Sequence, residues 1–465
     1  MRTAELAGRR VAVWGIGAEG RAATRTALRA AAREVCAVVD GDPPPAALAA
    51  WSAAGLGAVR VAGAAEPAGS AALAAADVVV LSPGVSPYRD DVGALARRGA
   101  AVTSGTQLFL ADHGGRTVAV TGSKGKSTVT RLTAHLLAAA GHDAVAAGNI
   151  GMPLLDLLPD PPGLVVGEVS SYQAALVASP PWVAVLTALF PDHLPWHGGV
   201  GRYYRDKLRV VAGAGAVLAN GADPGVRARL ADRDPALGAA VAYGSPDARV
   251  RVAGAVVLAG DRPVLPLRRS RLPGAHNAVN VAAAVAVLDV LGVDLVGLSG
   301  RLEAALAGFA PLRHRLEPVA TVGGLMFVDD SLATSAQAAV AACEAYPDRP
   351  LTLLVGGLDR GIDYRPLVTY LQARAARTSL VLVAMGEAGR RIAADVSTAA
   401  PDGVPIEIVD DAGDGARVAA KVTPPGGVVL FSPAAPSPPE HGGYRHRSAA
   451  FVTAVRALPG RALTG

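Results

Sequence analysis

One stretch constrains what this chain can fold into more than any other: Val118 to Thr128, which reads V-A-V-T-G-S-K-G-K-S-T. An apolar, β-favouring run enters a loop that contains Gly122 and Gly125, and Lys126 then opens an amphipathic segment that Gly141 stops. Glycines let backbone N–H groups turn inward on phosphate oxygens, and a helix N-terminus adds partial positive charge. The stretch therefore predicts a strand, a phosphate-binding loop and a helix. An ordinary strand–turn–helix junction is the alternative, since only two residues separate the glycines.

Length and composition narrow the class of protein. The 465 residues suggest roughly two to four domains. No uninterrupted apolar run reaches the roughly 18 residues of a membrane-spanning helix, and the polar segment Met1 to Arg10 does not read as a secretory signal. Cys36 and Cys343 lie in apolar surroundings without metal-like spacing, which indicates reduced thiols in a cytoplasmic protein. The net charge of +5 is spread thinly, so nucleic acid is not an expected partner.

The basic residues are very unevenly divided, with 40 arginines and only 4 lysines. The lysines are Lys124, Lys126, Lys207 and Lys421. Arginine is a permanently charged planar fork, whereas a lysine amine can become neutral and react. Where arginine serves nearly everywhere, a retained lysine suggests a chemical role. Two of the four lie in the predicted phosphate loop, while Lys421 reads as chance.

The first segment, to about Ser104, alternates strand-like runs with Ala-rich helical stretches, which predicts a doubly wound parallel sheet. Gly15 to Gly20 forms a G-x-G-x-x-G turn into a helix, and Asp40 ends the second strand at the spacing of a dinucleotide fingerprint. Ser82-Pro83-Gly84 follows a later strand at its carboxyl end, where ligands gather in such sheets. Glycines needed only for helix–strand packing are the alternative interpretation of the turn.

The middle segment, from about Gly105 to Pro311, carries further polar groups after the phosphate loop. Gly148 to Gly151 predicts a turn between helical stretches. Leu164 to Glu168 predicts a buried strand that ends in a carboxylate, where Mg²⁺ is commonly held beside a phosphate loop. A surface or capping glutamate is the alternative. His193 starts a loop fourteen residues before Lys207, which lies in a predicted helix.

Asn277 and Asn280 share a face near the start of an Ala/Val-rich helix. They either cap that helix or present amides to an adenine base or phosphate. The last segment, from about Leu312, again alternates strands with helices and predicts a second doubly wound sheet. Its polar loops follow the strand ends, at Asp329 to Ser331, Gly356 to Arg360 and Ser432 to Ala434. Three segments with ligand-ready loops suggest a cleft enzyme with mobile domains.

Together these motifs resemble the Mur ligase family over essentially the whole chain. The matching elements are the phosphate loop, Gly148 to Gly151, Glu168 to Gln173, Asp192 to Leu194, Lys207, His276 to Asn280, His314-Arg315 and Asp329 to Ser331. Ser82 to Gly84 and Ser432 to Ala434 resemble the MurD-type branch. The resemblance implies an α/β chain of three domains: a Rossmann-like UDP-substrate domain at 1–104, a P-loop ATP domain with a parallel sheet at 105–311, and a Rossmann-like domain at 312–465 that contacts ATP and the incoming amino acid.

The resemblance assigns ATP to the phosphate loop and to residues further along the chain. The set is Gly122, Ser123, Lys124, Gly125, Lys126, Ser127, Thr128, Asn277, Arg315 and Asp330. Ser127 and Glu168 would hold one Mg²⁺, while His193 and a carbamate formed from CO₂ on Lys207 would hold a second. Lys126, Glu168, His193 and Lys207 form the catalytic set. An amine can take up CO₂ and a guanidinium cannot, which gives the scarcity of lysine a chemical reason.

The resemblance also implies the substrates and the reaction. The UDP-linked substrate would contact Gly15, Ile16, Gly17, Asp40, Ser82, Pro83, Gly84 and Asn149, and glutamate would contact Thr334, Arg360, Ser437 and Tyr444. ATP would phosphorylate the carboxylate of UDP-N-acetylmuramoyl-L-alanine, and the amine of glutamate would then attack the acyl phosphate. This is a cytoplasmic step in peptidoglycan precursor synthesis, on which cell shape and division depend. We expect a monomer with small-molecule substrates and no membrane partner.

The chain departs from the MurD pattern near the amino-acid pocket. Pro195 and Trp196 replace the usual aspartate and arginine, Leu332 replaces a lysine, and Arg360 replaces the lysine that meets the glutamate side chain. An altered pocket fits a MurD-like branch that adds L-glutamate, with a separate epimerase acting on the product. Trp14-Gly15 also resembles that branch. The alternative is a ligase that adds D-glutamate.

Three more distant alternatives are open to the sequence. A folylpolyglutamate-synthase-like ligase shares the ATP domain but lacks the nucleotide domain that Gly15 to Ser104 predicts. A dehydrogenase would account for G-x-G-x-x-G but not for the phosphate loop. A non-catalytic ATP-binding protein would have no need for Glu168, His193 and Lys207 together.

Overall fold

The computed structural model describes residues 1–361, 363–400, 403–437 and 443–462. By its contacts the chain divides into two compact units, Met1–Arg269 with Val279–Phe309, and Ser270–Ala278 with Ala310–Gly465. Three β-sheets form the framework, two in the first unit and one in the second. Within the described parts of the chain, none of the helices combines the length and the apolar character needed to span a lipid bilayer.

The first sheet is wholly parallel in the order β3-β2-β1-β4-β5. Its strands are β1 (Arg10–Trp14), β2 (Glu34–Val39), β3 (Val61–Gly63), β4 (Val78–Leu81) and β5 (Ala101–Ser104). The helices of this segment are α1 (Ala18–Arg29), α2 (Pro45–Trp51), α3 (Pro67–Ala75), α4 (Asp90–Arg97) and α5 (Gly105–His113). The predicted doubly wound pattern is therefore present, with the G-x-G-x-x-G turn between β1 and α1.

The second sheet has nine strands in the order β14-β13-β12-β11-β10-β9-β6-β8-β7. They are β6 (Thr117–Thr121), β7 (Ala144–Gly148), β8 (Leu164–Glu168), β9 (Val183–Leu186), β10 (Ala216–Asn220), β11 (Val241–Tyr243), β12 (Val250–Ala253), β13 (Val256–Ala259) and β14 (Arg262–Pro266). The helices are α6 (Lys126–Ala139), α7 (Ser171–Ala174), α8 (Leu194–His197), α9 (Val200–Leu208), α10 (Pro224–Ala231), α11 (Ala275–Val290) and α12 (Ser299–Gly308).

Strand order in the second sheet sets up the site. β6 lies between β8 and β9, so Val120 is level with both Glu168 and Val185, and the polar groups that follow these strands meet at one edge. Every residue of β6 is buried, as expected for a central parallel strand covered on both faces. The β12–β13 and β13–β14 pairs are antiparallel, an extension that the sequence pattern did not indicate.

One local prediction was wrong. Ala144–Gly148 is not part of a helical stretch before a turn but the edge strand β7, paired in parallel with β8. Its Ala-rich sequence favours a helix locally, and pairing with the buried strand β8 overrides that preference.

The third sheet has the order β19-β18-β17-β20-β16-β15-β21, parallel except for the pairs that involve β15. Its strands are β15 (Glu317–Val322), β16 (Leu325–Asp329), β17 (Leu351–Gly356), β18 (Leu380–Met385), β19 (Ile406–Val409), β20 (Val428–Phe431) and β21 (Arg461–Ala462). The helices are α13 (Ala336–Glu344), α14 (Arg365–Ala375), α15 (Gly386–Ala399), α16 (Ala412–Val422) and α17 (Gly443–Ala457). The strands predicted in this segment are thus present.

Candidate active site

The phosphate loop joins β6 to α6 in a conformation that only glycine tolerates at two positions. Gly122 has φ +146°, and a Cβ there would lie 2.1 Å from Thr187 Oγ1. Gly125 has φ +86° and caps α6, whose first turn contains Lys126, Ser127 and Thr128. The strand, loop and helix predicted from the sequence are therefore confirmed.

Lys126 folds back over the loop. Its Nζ donates to the backbone oxygens of Gly122 at 3.0 Å and Ser123 at 3.4 Å. The Ser123 hydroxyl, by contrast, bonds to Phe190 O at 2.7 Å and lies 2.8 Å from the Tyr203 hydroxyl. The Ser123 backbone N–H donates to Ala188 O at 2.7 Å, so both the hydroxyl and the amide of Ser123 hold the loop in place.

Glu168 ends β8 beside the loop and is 2% exposed. Asn149 Nδ2 donates to its Oε1 at 2.9 Å. Its Oε2 is buried and has no hydrogen-bond partner among the described residues. An ionised carboxylate oxygen without a partner costs several kcal/mol in a protein interior unless a cation meets it, so this oxygen is suited to Mg²⁺, a hard cation that prefers oxygen ligands.

Lys207 is fully enclosed on helix α9, at 2% exposure. Its Nζ donates to Gly122 O at 2.9 Å, the same carbonyl that Lys126 contacts. Burial, with the nearby charge of Lys126, holds the pKa of the Lys207 ammonium well below its ordinary value of 10.5. The structure thus excludes a solvent-exposed lysine at this position, and a lowered pKa favours the unprotonated amine, the form that reacts with CO₂.

His193 caps helix α8 in a left-handed backbone conformation, with φ +53°. Its ring lies 4.9 Å from that of Tyr172, and its side chain is about half-exposed. Desolvation lowers the pKa of His193, and the positive charges of Lys126 and Lys207 lower it further, while Asp192 opposes them. A neutral imidazole is the form that binds a metal. Of the predicted catalytic set, Lys126 and Lys207 meet at Gly122 O. The charge of Glu168 acts on the pKa of Lys207, and the charges of both lysines act on the pKa of His193, so these two side chains lie nearby.

The predicted UDP-substrate residues of the first sheet also share one edge. Gly15 has φ +113°, and a Cβ on Gly20 would lie 1.8 Å from Gly15 O, so the turn packs tightly on β4 and α1. Asp40 is exposed and bonds to Arg89 at 2.6 Å and to the Trp14 indole at 3.2 Å. Asn149, by contrast, lies on the second sheet beside Glu168.

In the second unit, three of the predicted glutamate residues, Thr334, Arg360 and Ser437, lie on loops that follow β16, β17 and β20, and Tyr444 lies in the first turn of α17. Arg447 joins these loops: its guanidinium donates to the backbone oxygens of Ser331 at 2.8 Å, Ala435 at 3.0 Å and Gly356 at 3.3 Å. Burial lowers the pKa of Arg447 to about 10, so it stays charged at neutral pH. The sequence analysis missed Arg447, since no spacing signal marks an arginine that binds backbone carbonyls.

The four predicted glutamate residues differ in their surroundings. Arg360 is exposed, and Thr334 is half-buried. Ser437 Oγ is buried without a hydrogen-bond partner among the described residues, and the Tyr444 ring packs edge-on against His314 at 5.5 Å. Part of the loop between Ser437 and Tyr444 lies outside the described residues.

Two of the predicted ATP residues in the second unit form hydrogen bonds within that unit. Asp330 accepts hydrogen bonds from Ser432 Oγ at 2.7 Å and Leu316 N at 3.2 Å, and Asn277 Nδ2 donates to Pro273 O at 2.6 Å. Arg315 adjoins His314, whose Nδ1 lies 2.9 Å from Asp329 Oδ2. The Asn277 bond is donated by its side-chain amide and does not satisfy the N–H groups at the start of α11, so capping and ligand contact both stay open for Asn277.

Comparisons with known proteins give the family. Residues 120–288 match the Mur ligase middle domain, and residues 314–435 match the family described as Mur ligase, glutamate ligase domain. A protein of Salinispora tropica named UDP-N-acetylmuramoyl-L-alanine--L-glutamate ligase is 45% identical over 99% of this chain and 100% of its own length. The chain belongs to the Mur ligase family. Proteins of the same name from Micromonospora sp. and Xanthomonas campestris pv. campestris are 46% and 36% identical to this Mur ligase, over 99% of each chain.

Solved structures agree with the fold of this Mur ligase. The UDP-N-acetylmuramate-alanine ligase MurC of Thermotoga maritima superposes with a TM-score of 0.59 at 17% identity, covering 97% of this chain and 99% of that one. A MurF ligase of Thermotoga maritima in complex with ADP gives 0.55 at 17% identity, covering 98% and 96%. The predicted α/β class with three domains is confirmed, as is the prediction of a ligase.

Proposed function

We propose that this Mur ligase joins L-glutamate to UDP-N-acetylmuramoyl-L-alanine in an ATP-dependent, ADP-forming reaction of peptidoglycan synthesis. Full-length relatives at 36–46% identity carry the name of that activity. The observation that carries the proposal is the convergence of Lys126 and Lys207 on one carbonyl, near a Glu168 oxygen that has no hydrogen-bond partner in the described part of the chain. ATP-phosphate and acyl-phosphate chemistry needs this combination of positive charge and a metal-binding carboxylate.

We assign the residues as follows. Ser127 and Glu168 hold one Mg²⁺, and His193 with a carbamate on Lys207 holds a second. The phosphate loop binds ATP, with Asn277, Arg315 and Asp330 contributing from further along the chain. The buried amine of Lys207, whose pKa burial lowers, and the Glu168 oxygen that has no hydrogen-bond partner among the described residues support these assignments, because both fit the groups they would meet. Bound Mg²⁺ supplies charge neutralisation between the γ-phosphate and the substrate carboxylate.

The protein's own contribution to the reaction is placement and exclusion of water. Lys126 follows the γ-phosphate as it passes to the carboxylate of the alanine, and the loop N–H groups hold the remaining phosphates. Asn149 and His193 border the acyl end. The glutamate amine then attacks the acyl phosphate, and phosphate leaves through a tetrahedral intermediate. Enclosure of Lys207 and Glu168 keeps bulk water from the reactive carbonyl.

We place the UDP-linked substrate on residues 1–104, ATP on 105–311 and glutamate on 312–465. Gly15, Ile16, Gly17, Asp40, Ser82, Pro83 and Gly84 form the UDP-substrate set, and Thr334, Arg360, Ser437 and Tyr444 form the glutamate set. We further propose that the enzyme acts as a monomer in the cytoplasm, in a step on which cell shape and division depend. An epimerase would act on its product.

The test is phosphate release with UDP-N-acetylmuramoyl-L-alanine, ATP, Mg²⁺ and each enantiomer of glutamate in turn. We expect release with L-glutamate and little with D-glutamate, together with incorporation of L-[¹⁴C]glutamate into the nucleotide product. Incorporation of the D-enantiomer alone would overturn the assignment of substrate. Absence of phosphate release with both enantiomers would overturn the proposed function.

A further inference from the structure

A hydrogen-bonded network of four side chains runs through the first unit: Tyr88, Asp206, His197 and Ser171. The carboxylate of Asp206 accepts the Tyr88 hydroxyl at Oδ1 and His197 Nδ1 at Oδ2, the latter at 2.7 Å. His197 Nε2 lies 3.0 Å from Ser171 Oγ. Asp206 and His197 are fully buried, so water does not compete for these bonds. The network therefore holds its members in a single arrangement.

Two members of the network lie close in sequence to the proposed metal ligands. Asp206 directly precedes Lys207 on α9, and Ser171 opens α7 three residues after Glu168. Lys207 reaches Gly122 O from a helix whose position the Asp206 bonds determine. A shift of Asp206 would therefore move the Lys207 amine relative to Glu168.

The outer end of the network belongs to the loop that follows β4, which also contains Ser82, Pro83 and Gly84. Tyr88 stacks under the Arg202 guanidinium at 4.3 Å, and Ser86 Oγ donates to Trp196 O at 3.1 Å. This loop thus contacts helices α8 and α9 at several points in addition to Asp206.

Arg89, the residue after Tyr88, contacts a different part of the first unit. Its guanidinium pairs with Asp40 at 2.6 Å and lies over the Trp14 ring at 4.8 Å. Tyr88 and Arg89 are consecutive, so one peptide unit connects the Lys207 helix to the proposed UDP-substrate edge. Arg89 also pairs with Asp91 at 2.6 Å, so a ligand that competes for Asp40 removes one of the two carboxylates that hold the residue next to Tyr88.

The Tyr88 hydroxyl is suited to donating a hydrogen bond to Asp206. Burial of its hydroxyl, and then the hydrogen bond to Asp206, raise the pKa of Tyr88 to about 12, so the phenol keeps its proton at neutral pH. Its ring is 38% exposed, so loss of the hydroxyl alone leaves the hydrophobic core untouched. The bond to a buried carboxylate is of the charge-assisted kind, which is stronger than a neutral hydrogen bond.

We propose that Tyr88 is a positioning residue that couples binding of the UDP-linked substrate to the placement of Lys207 and Glu168 through Asp206, His197 and Ser171. The inference rests on the proposed function and identifies how two parts of that site communicate. Coupling of this kind is a free energy shared by the two ligands, so the nucleotide substrate must tighten metal binding by the same factor by which the metal tightens nucleotide binding.

The test is the Tyr88→Phe variant, which removes one hydroxyl. Mn²⁺ binding is titrated by electron paramagnetic resonance with bicarbonate present, with and without UDP-N-acetylmuramoyl-L-alanine, and without ATP or glutamate. In the unaltered protein we expect the nucleotide substrate to tighten Mn²⁺ binding about tenfold, and in Tyr88→Phe we expect this factor to fall to about one. In the ligase assay we expect kcat to fall about tenfold, with the KM for ATP unchanged.

Tyr243→Phe is the matched control, because it removes a buried tyrosine hydroxyl that donates to Leu186 O at 3.2 Å, outside the network. It should keep the coupling factor of the unaltered protein. In an Asp206→Ala background, adding Tyr88→Phe should cause little further loss, since the Tyr88 hydroxyl has already lost its carboxylate acceptor.

The inference is overturned if the nucleotide substrate does not change Mn²⁺ affinity in the unaltered protein, if Tyr88→Phe keeps the coupling factor, or if Tyr243→Phe loses it equally. Because the Mn²⁺ titration needs no turnover, it reads the coupling independently of the ligase assay. Failure of the ligase assay with both enantiomers, with coupling intact, would count against the proposed function alone.

Discussion

At the scale of single residues, Lys207 differs most from the usual behaviour of its type. Lysine is almost never fully buried unless it is paired, yet here the amine is enclosed and its pKa is depressed. Such a residue costs stability, because burial removes the hydration of the ammonium form. A protein that otherwise uses arginine retains lysine at this position, which is consistent with chemistry that only an amine can provide.

Replacement of this lysine by arginine is the first prediction. Lys207→Arg places a permanently charged guanidinium that cannot form a carbamate in the site of a buried amine, so we expect phosphate release to fall by about 10²–10³-fold. Lys421→Arg, the same change at an exposed residue of α16, should leave the rate unchanged. Both variants are compared in the phosphate-release assay. A Lys207→Arg enzyme within about tenfold of the unaltered rate would rule out the carbamate.

At the scale of secondary-structure elements, the site depends on which groups lie at the carboxyl ends of neighbouring strands. β8 delivers Glu168 and β6 delivers the phosphate loop at the same edge because the two strands pair in register. The loop can turn so sharply only where side chains are absent: a Cβ on Gly122 would clash with Thr187 and would also require a backbone conformation that L-residues rarely adopt. The positions of the catalytic groups therefore depend on glycine in the loop as well as on charged side chains.

A glycine substitution tests this dependence. Gly122→Ala should lower the free energy of unfolding by about 1–3 kcal/mol and abolish ATP binding, because the loop must move away from Thr187. Gly115→Ala is the matched control, since a Cβ there meets nothing within 4 Å. Chemical denaturation and ATP titration by calorimetry measure the two effects. Unchanged ATP affinity in Gly122→Ala would contradict the assigned loop geometry.

The first sheet offers a pH-dependent test. Asp77 accepts Arg10 N at 2.9 Å and Arg10 Nη2 at 2.9 Å, a pair that joins the starts of β1 and β4. These hydrogen bonds lower the pKa of Asp77 from 3.8 to about 2. A depressed carboxyl pKa stabilises the fold above the unfolded value of 3.8, and that contribution is lost as the pH falls through about 2.

Asp77→Asn should therefore lower the melting temperature by on the order of 1 °C at pH 7, a small effect because both side chains are partly exposed. The difference from the unaltered protein should narrow as the pH is lowered below 3.8. Asp42→Asn, at an exposed position of the same segment, serves as the control. Scanning calorimetry over a pH series gives the comparison, and a difference that grows on acidification would refute the assignment.

At the scale of the molecule, the first and second sheets do not have independent cores. One hydrophobic cluster contains Val11 and Val80 of the first sheet, Leu108 and Phe109 of α5, and Val165 of β8. The predicted boundary at 104 would cut through this cluster. Residues 1–104 form a segment with its own sheet but share apolar contacts with the sheet that follows.

Truncation tests the shared core. A chain of residues 1–104 should fail to unfold cooperatively, because the apolar faces of β1 and β4 lose Leu108, Phe109 and Val165. A chain of residues 1–309, which keeps the whole cluster, should show a cooperative transition. Near-ultraviolet circular dichroism during denaturation distinguishes the two. Cooperative unfolding of 1–104 would mean that the first sheet is stable by itself.

Much of this architecture was predictable from the sequence. The alternation of strands and helices, the glycine loop and the carboxylate after Leu164 to Gly167 are local patterns, and each was confirmed. The edge strand Ala144–Gly148 was not recognised, because its alanines favour a helix and only pairing with β8 makes it a strand. Arg447 and the Asp206–His197 pair were missed because their partners are backbone carbonyls or side chains of distant loops.

The sequence by itself determined the fold class, the position of the phosphate loop and the kinds of side chain available to the site, because periodicity and turn chemistry depend on near neighbours. Only the tertiary structure decided that Lys207 is desolvated, that one Glu168 oxygen finds no partner among the residues described, and that Tyr88 reaches Asp206. Desolvation and hydrogen-bond satisfaction depend on groups 85 and 118 positions away along the chain, and their proximity is set by the order in which strands pair.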